Sequence, residues 1–152
     1  MNKAVDLILQ PRLKIAEMLK QLTIEQLNTV PPSFNNNIVW NIGHMVATQQ
    51  GICYKRVNQP IAVSDEFFDT FKPGTKPERF FEVAEVEEIF SLFSSTLTLL
   101  EADLQTDKFA GYPTWTTRFG FEVKSIEDAV SFISFHEGMH IGAIIALRRF
   151  VG

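Results

Sequence analysis

His136-Glu137-Gly138-Met139-His140 is the segment around which this chain is organised. Two histidines four residues apart on a helix lie about 40° apart around its axis and one turn apart along it, so both imidazoles can point at one shared atom. This geometry suits a divalent metal. Apolar residues at intervals of three and four frame the segment and predict a helix near 125–150 with both histidines on its buried face: Ile126, Ala129, Val130, Ile133, Ala143, Ile144 and Leu147.

The chain has one further histidine, His44, and it also lies in an apolar, helix-like segment. The stripe that it shares is Trp40, Ala47 or Thr48, and Gly51. A buried imidazole left without a partner costs about 1–3 kcal/mol, and helix-interior backbone offers few acceptors, whereas a metal ion satisfies three ring nitrogens at once. We therefore predict that His44, His136 and His140 bind one metal ion and leave a position open, as catalytic zinc sites do; the alternative is three separately satisfied core histidines.

Metal binding requires neutral imidazoles. With ordinary histidine pKa values, metal occupancy is expected to fall as the pH drops through about 6.

Composition and charge limit the class of protein. At 152 residues, with 45% hydrophobic residues, the chain is predicted to form a single domain spanning 1–152. Its formal charge of −4 and pI of about 5.4 argue against nucleic-acid binding, because neutralising phosphates supplies most of that affinity. Cys53 is the only cysteine, so no intrachain disulfide forms. Without a signal-peptide pattern or an apolar run of about 18 residues, we expect a cytoplasmic protein that does not span a membrane.

Three further helices are predicted near 3–22, 38–58 and 83–105, again from apolar residues at threes and fours. The first stripe is Val5, Ile8, Leu9, Leu13, Ala16, Leu19 and Leu22, with a kink or a later start expected at Pro11. Residues 59–83 are irregular apart from a short helix over 65–71. Four long helices with this long crossover between the second and third predict an all-α four-helix bundle.

Turn and cap signals add detail. Thr23 and Gln26 form a capping box, Asn35-Asn36-Asn37 supplies an N-cap for the second long helix, and Ser125 with Asp128 resembles a capping box for the last. Residues 115–123 are predicted to form an irregular hairpin.

The pattern H-E-x-x-H is also the zincin signature, in which Glu137 would act as a general base. The context argues against a peptidase, because only twelve residues follow His140 and none of them is His, Asp or Glu. The E-x-x-H of di-iron bundles requires two copies and two further helix carboxylates, and this chain has one copy. Glu137 lies about 100° from His136 around the helix, which predicts a position at the pocket edge or on the bundle surface.

Two segments resemble the DinB/YfiT-like family of metal-binding four-helix proteins: Trp40-Asn41-Ile42-Gly43-His44-Met45 and His136-Glu137-Gly138-Met139-His140-Ile141-Gly142. The resemblance covers essentially the whole chain. It implies a bundle with crossed connections, a divalent metal on His44, His136 and His140, and often a homodimer. Characterised members are mostly transferases or isomerases that use low-molecular-weight thiols such as bacillithiol or mycothiol. Members commonly carry Gln after that Gly, where this chain has Ala143.

The simplest use of such a metal is to bind a thiol, lower its pKa and present it to an electrophile. Cys53 lies nine residues from His44, about 180° around the helix, so the thiol has to be a co-substrate. The residues expected around the open position are Glu137, Thr48 and Arg118, which are the catalytic candidates, together with Trp40, Tyr112 and Trp115. The alternatives are a metal-activated-water hydrolase or isomerase, and a non-enzymatic metal-binding stress-response module.

Three imidazoles accept Zn, Ni or Fe, so the sequence leaves the metal open. A homodimer is expected from the fourteen phenylalanines, seven of them between Phe67 and Phe93, because a short bundle has little room to bury them all.

Overall fold

A computed structural model describes residues 2–152 as an all-α fold, which confirms the predicted class. Six α-helices follow one another along the chain: α1 (Lys3–Leu19), α2 (Ile24–Asn28), α3 (Ile38–Cys53), α4 (Asp65–Phe71), α5 (Val83–Asp103) and α6 (Ile126–Val151). Short 3₁₀ turns follow α3 at Lys55–Val57 and α5 at Asp107–Phe109. The predicted hairpin is present as two short antiparallel strands, β1 (Trp115–Thr116) and β2 (Glu122–Val123).

Side-chain caps start the helices at the predicted positions. The Thr23 hydroxyl accepts from the Gln26 backbone while the Gln26 side chain accepts from the Thr23 backbone, so the capping box that opens α2 is confirmed. Asn37 caps α3. At α6 the Ser125 hydroxyl accepts from Asp128 N–H, but the Asp128 carboxylate accepts from Lys124 N–H, one residue earlier than a capping box requires.

Two predicted helices end earlier than the periodicity suggested. The first ends at Leu19 instead of residue 22, and the second at Cys53 instead of residue 58. A 3₁₀ turn takes over after α3, and Asn58 closes it with a positive φ of 55°, a conformation that Asn tolerates. Pro11 lies inside α1, which is continuous over Lys3–Leu19.

The four long helices form a bundle in which α1 and α3 each pack on both α5 and α6. The start of α1 lies beside the end of α5, where Asn2 N–H donates to the Glu101 side chain. The C-terminal ends of α3 and α5 meet where Tyr54 donates its hydroxyl hydrogen to Asp103 at 2.7 Å. Because α3 and α5 run in the same direction, they need the long crossover that carries α4, as predicted.

α3 is the central helix, since all of its residues except Gly51 are buried. α6 is, among residues 2–152, the one helix that is long and apolar enough by length and composition to cross a membrane. It packs on α1 and α3, with His136, Glu137 and Leu147 buried.

Most phenylalanines of the 67–93 segment pack within one chain. Phe71 stacks on Phe81, and both are buried together with Phe93. Of these seven rings only Phe80 is exposed. The exposed rings cluster elsewhere, on the hairpin and on α6, at Phe119, Phe121, Phe135 and Phe150.

Candidate metal centre

The three histidines converge at one point between α3 and α6. Their ligand-capable ring nitrogens all lie within 4.8 Å of one another. Two cross-helix pairs set the geometry: His44 Nε2 lies 3.3 Å from His136 Nε2, and His140 Nδ1 lies 2.8 Å from Asn41 Oδ1. Residue 41 of α3 lies beside residue 140 of α6, and residue 44 lies beside residue 136, so the two helices are antiparallel here. This packing brings His44 next to His136 and His140.

Hydrogen bonds leave the inward-facing nitrogens available. His44 Nδ1 lies 2.8 Å from the Phe71 carbonyl oxygen, which can only accept, so the ring proton is on Nδ1 and the Nε2 lone pair faces His136. Asn41 holds His140 in the same way, because its amide nitrogen already donates to the Asn37 carbonyl and so turns its oxygen toward the ring. Polar partners of this kind orient metal-binding histidines.

The spacing matches a tetrahedral ion. Metal–nitrogen bonds of about 2.0–2.1 Å at tetrahedral angles place two ligand nitrogens about 3.3 Å apart. His44 Nε2 and His136 Nε2 are separated by 3.3 Å. His136 Nδ1 is buried without a hydrogen-bond partner among residues 2–152. Because the atom without a partner is Nδ1 and the atom that faces His44 is Nε2, the fit to a metal ion rests on the 3.3 Å spacing and on the convergence of the three rings.

Packing from α3 itself and from the crossover supports His44. The Trp40 ring stacks on the His44 ring with centroids 4.6 Å apart. Gly43 lies directly under the Phe71 ring, and a Cβ atom there would approach that ring to 2.5 Å. Glycine is therefore needed at this position for α4 to come close enough for its Phe71 carbonyl to reach His44.

Burial keeps the imidazoles neutral, because it penalises the charged form. It is the largest cause that lowers the pKa of all three histidines, to about 3 for His136 and about 4 for His140. Neighbouring imidazoles lower the pKa of His136 and His140 further, and the Arg118 guanidinium lowers the pKa of each of the three. The Phe71 carbonyl opposes the shift at His44. Competition from protons should therefore begin well below the pH of about 6 expected from ordinary values.

The free energy of unfolding of the metal-free protein is expected to fall as the pH drops from about 6.5 toward about 4. The folded-state pKa values lie below the unfolded value, so the unfolded chain binds more protons in this window and is favoured as the pH falls. Urea unfolding after chelation, at a series of pH values, measures the slope. A His136→Gln variant should show a shallower slope, and equal slopes would contradict the assignment.

The histidines form one wall of a cavity of about 740 Å³. Four of the residues predicted around the open position line it: Trp40, Thr48, Trp115 and Arg118. The Thr48 hydroxyl oxygen lies 3.3 Å from His44 Nε2. Tyr112 is not part of the lining; its hydroxyl donates to the Ile52 carbonyl and accepts from Trp115 Nε1, so it positions the Trp115 ring. A larger cavity of about 820 Å³ between α1, α2 and α5 contains no histidine.

Glu137 lies elsewhere than predicted, neither at the pocket edge nor on the bundle surface. It is only 3% exposed and forms a two-pronged ion pair with Arg12 of α1, at 2.9 Å (Nε–Oε2) and 2.7 Å (Nη2–Oε1). Arg12 also donates to the carbonyl oxygens of Phe93 and Met45. Arg12 thus links four helices, and it engages both carboxylate oxygens of Glu137.

Sequence reasoning missed Arg12, Asn41, Lys55 and Arg56. Lys55 and Arg56 line the cavity from the turn after α3. The available signal for Asn41 was a polar residue in an apolar helix, three positions before His44 and one turn after the N-cap Asn37. Cys53 is buried in a separate core cluster, away from the histidines, as predicted. Burial raises the pKa of its thiol.

Comparison with known proteins agrees with this geometry. A family model described as the DinB superfamily matches residues 10–144, a span that includes all three histidines. A search of curated proteins finds no match. The chain therefore belongs to the DinB superfamily.

Proposed function

We propose that this protein is a metal-dependent transferase that joins a low-molecular-weight thiol to small electrophiles. The observation that carries the proposal is a cluster of three neutral imidazoles, two buried and one half-buried, at the wall of a cavity of about 740 Å³. His44, His136 and His140 would hold Zn, Ni or Fe, which three-nitrogen sets all accept. Three protein ligands leave a further position for an exogenous group. When bound, the metal would lower the pKa of a thiol placed there.

The thiol has to come from outside the chain. Cys53 is fully buried in the core cluster at the other end of α3, and its pKa is raised by burial. A co-substrate thiol would occupy the cavity, which Trp115 and Phe132 line together with the histidines. In the transfer, the sulfur forms a bond to the electrophilic carbon, the leaving group departs with the bonding electrons, and the thiol proton passes to solvent.

Of the three catalytic candidates, two keep a role in this proposal. Thr48 is beside His44 Nε2 and can hydrogen-bond to a group bound there. Arg118 lines the cavity and can stabilise negative charge on sulfur or on the leaving group. The role that we assign to Glu137 is structural, because Arg12 occupies its carboxylate.

The test is a screen of thiols against electrophiles such as 1-chloro-2,4-dinitrobenzene. Protein purified without an affinity tag is analysed for metal, then assayed with and without thiol, before and after chelation. A transferase consumes the electrophile only when both the thiol and the metal are present. Turnover with metal alone would favour a hydrolase or isomerase. Loss of stability on chelation, with no activity under any condition, would favour a non-enzymatic module.

We also propose a cytoplasmic homodimer. The support for assembly is the group of exposed rings on the hairpin and on the outer face of α6, where Phe119, Phe121 and Phe135 are 49%, 44% and 52% exposed. Light scattering at tens of micromolar protein is expected to give twice the 17.3 kDa chain mass. A mass of one chain would rule the dimer out, and Phe135→Ser should shift a true dimer toward monomer.

A further inference from the structure

The cavity beside the histidines has a strongly positive rim. Lys55 and Arg56 reach it from the turn after α3, and Arg118 reaches it from the loop between β1 and β2. Among the described residues that line the cavity there is no Asp or Glu. The whole chain carries a formal net charge of −4, so the positive charge around this cavity is opposite in sign to that of the protein as a whole.

None of these three cations forms an ion pair within the described residues. The ion pairs found within residues 2–152 engage other Lys and Arg side chains. Lys55 lies near Asp69, but that carboxylate is hydrogen-bonded to Lys72. Like charges around one cavity repel one another, and a ligand of opposite charge would relieve that repulsion.

Each of the three cations is instead held over an aromatic ring. The Lys55 ammonium lies 3.9 Å from the Phe68 centroid, and the Arg56 guanidinium 3.6 Å from that of Trp115. Arg118 lies 5.0 Å from the Phe119 centroid. Such contacts fix the position of a cation while leaving its N–H donors and its charge available.

Arg118 and the three histidines line the same cavity. A co-substrate that occupies this cavity can therefore place its charged group at Arg118 and its sulfur at the imidazoles.

We infer that the thiol used at this site is an anion, with a carboxylate or a tetrahedral oxyanion held by Arg118, Arg56 and Lys55 while its sulfur faces the three histidines. The inference rests on the proposed thiol transfer and adds the charge class of the co-substrate. Charge-assisted hydrogen bonds to a guanidinium are about twice as strong as neutral ones, so the anion should bind roughly tenfold or more tightly than a neutral analogue.

The experiment compares thiols of one size and different charge on the zinc-loaded full chain. The carboxylate is 3-mercaptopropionate, the tetrahedral oxyanion 2-mercaptoethanesulfonate, the neutral analogue methyl 3-mercaptopropionate, and the cation cysteamine. Binding is read from the fluorescence of Trp40 and Trp115, which both line the cavity. The expected order is anion, then neutral thiol, then cation, and the two anions show which oxyanion geometry the rim prefers.

Variants assign the effect to the rim. Arg118→Gln should reduce the preference for the anion roughly tenfold, and Arg118→Lys should retain part of it. Lys124→Gln is the matched control, because it removes one charge from the residue directly after β2, outside the cavity, and it should keep the full preference. Circular dichroism establishes that each variant is folded.

The outcomes separate this inference from the proposed function. Equal affinity for acid and ester, or an unchanged preference in Arg118→Gln, overturns the anionic-thiol inference while leaving thiol transfer intact. If no thiol binds but glutarate does, in a manner that Arg118→Gln abolishes, the anion site stands and the thiol function fails.

Discussion

His136→Ala is expected to lower the affinity for Zn²⁺ by at least about 100-fold while leaving the helical content largely intact. Loss of a polar group that merely orients a metal-binding histidine already costs about 10–100-fold, and this change removes the ligand itself. His44→Ala and His140→Ala should behave similarly. Asn41→Ala keeps the His140 imidazole but removes the hydrogen bond that orients it, so its Zn²⁺ affinity should lie between those of these variants and the native protein. Competition with a chromophoric chelator measures the affinities.

Cys53→Ala is the control for this series, because Cys53 is buried in a different core cluster and should not affect metal affinity. One outcome would contradict the three-ligand centre. If His44→Ala binds Zn²⁺ as tightly as the native protein while His136→Ala does not, the two histidines of α6 alone define the site. The three-ligand centre would then be wrong, and the zincin-like interpretation would have to be reconsidered.

Arg12→Met is expected to lower the free energy of unfolding by about 3–5 kcal/mol, because it leaves the Glu137 carboxylate buried without its partner. Both side chains are almost completely inaccessible, at 0% and 3% exposure. The change also removes the donors that reach Phe93 and Met45. Urea unfolding monitored by circular dichroism gives the difference directly.

The double variant Arg12→Met with Glu137→Gln should recover part of this loss, since no uncompensated charge remains. Lys20→Met provides an exposed comparison, because its pair with Glu17 has both side chains 70% exposed and should contribute little. A loss below about 1 kcal/mol for Arg12→Met would show that the buried pair is not a principal tie between the helices.

The helices and the histidine cluster could be predicted because both depend on local periodicity. Apolar spacing locates α3 and α6, capping residues locate their starts, and antiparallel packing then brings residue 44 to residues 136 and 140. In α1 the predicted stripe was wrong at Leu13, which is 45% exposed, whereas Arg12 and Ile15 are buried. A charged residue spaced four after Ile8 and three before Ile15 was the available signal.

The environment of Glu137 could not be predicted in the same way. Its partner lies 125 residues away, and a pairing between two helices depends on how α1 is rotated, which apolar spacing defines only coarsely when a charge occupies a core position. The cations of the cavity rim lie on a 3₁₀ turn and a hairpin loop. Periodicity carries no information on where such segments fold back.

The 92-residue separation of His44 and His136 has a consequence for the lifetime of the folded chain. A metal ion bound to both residues would act as a reversible cross-link between them. A disulfide that closes a loop of this length stabilises a protein by about 4–5 kcal/mol. With a single cysteine, the chain has no internal disulfide to do this. Metal supply would then set how often the bundle opens, and so how fast proteases degrade it.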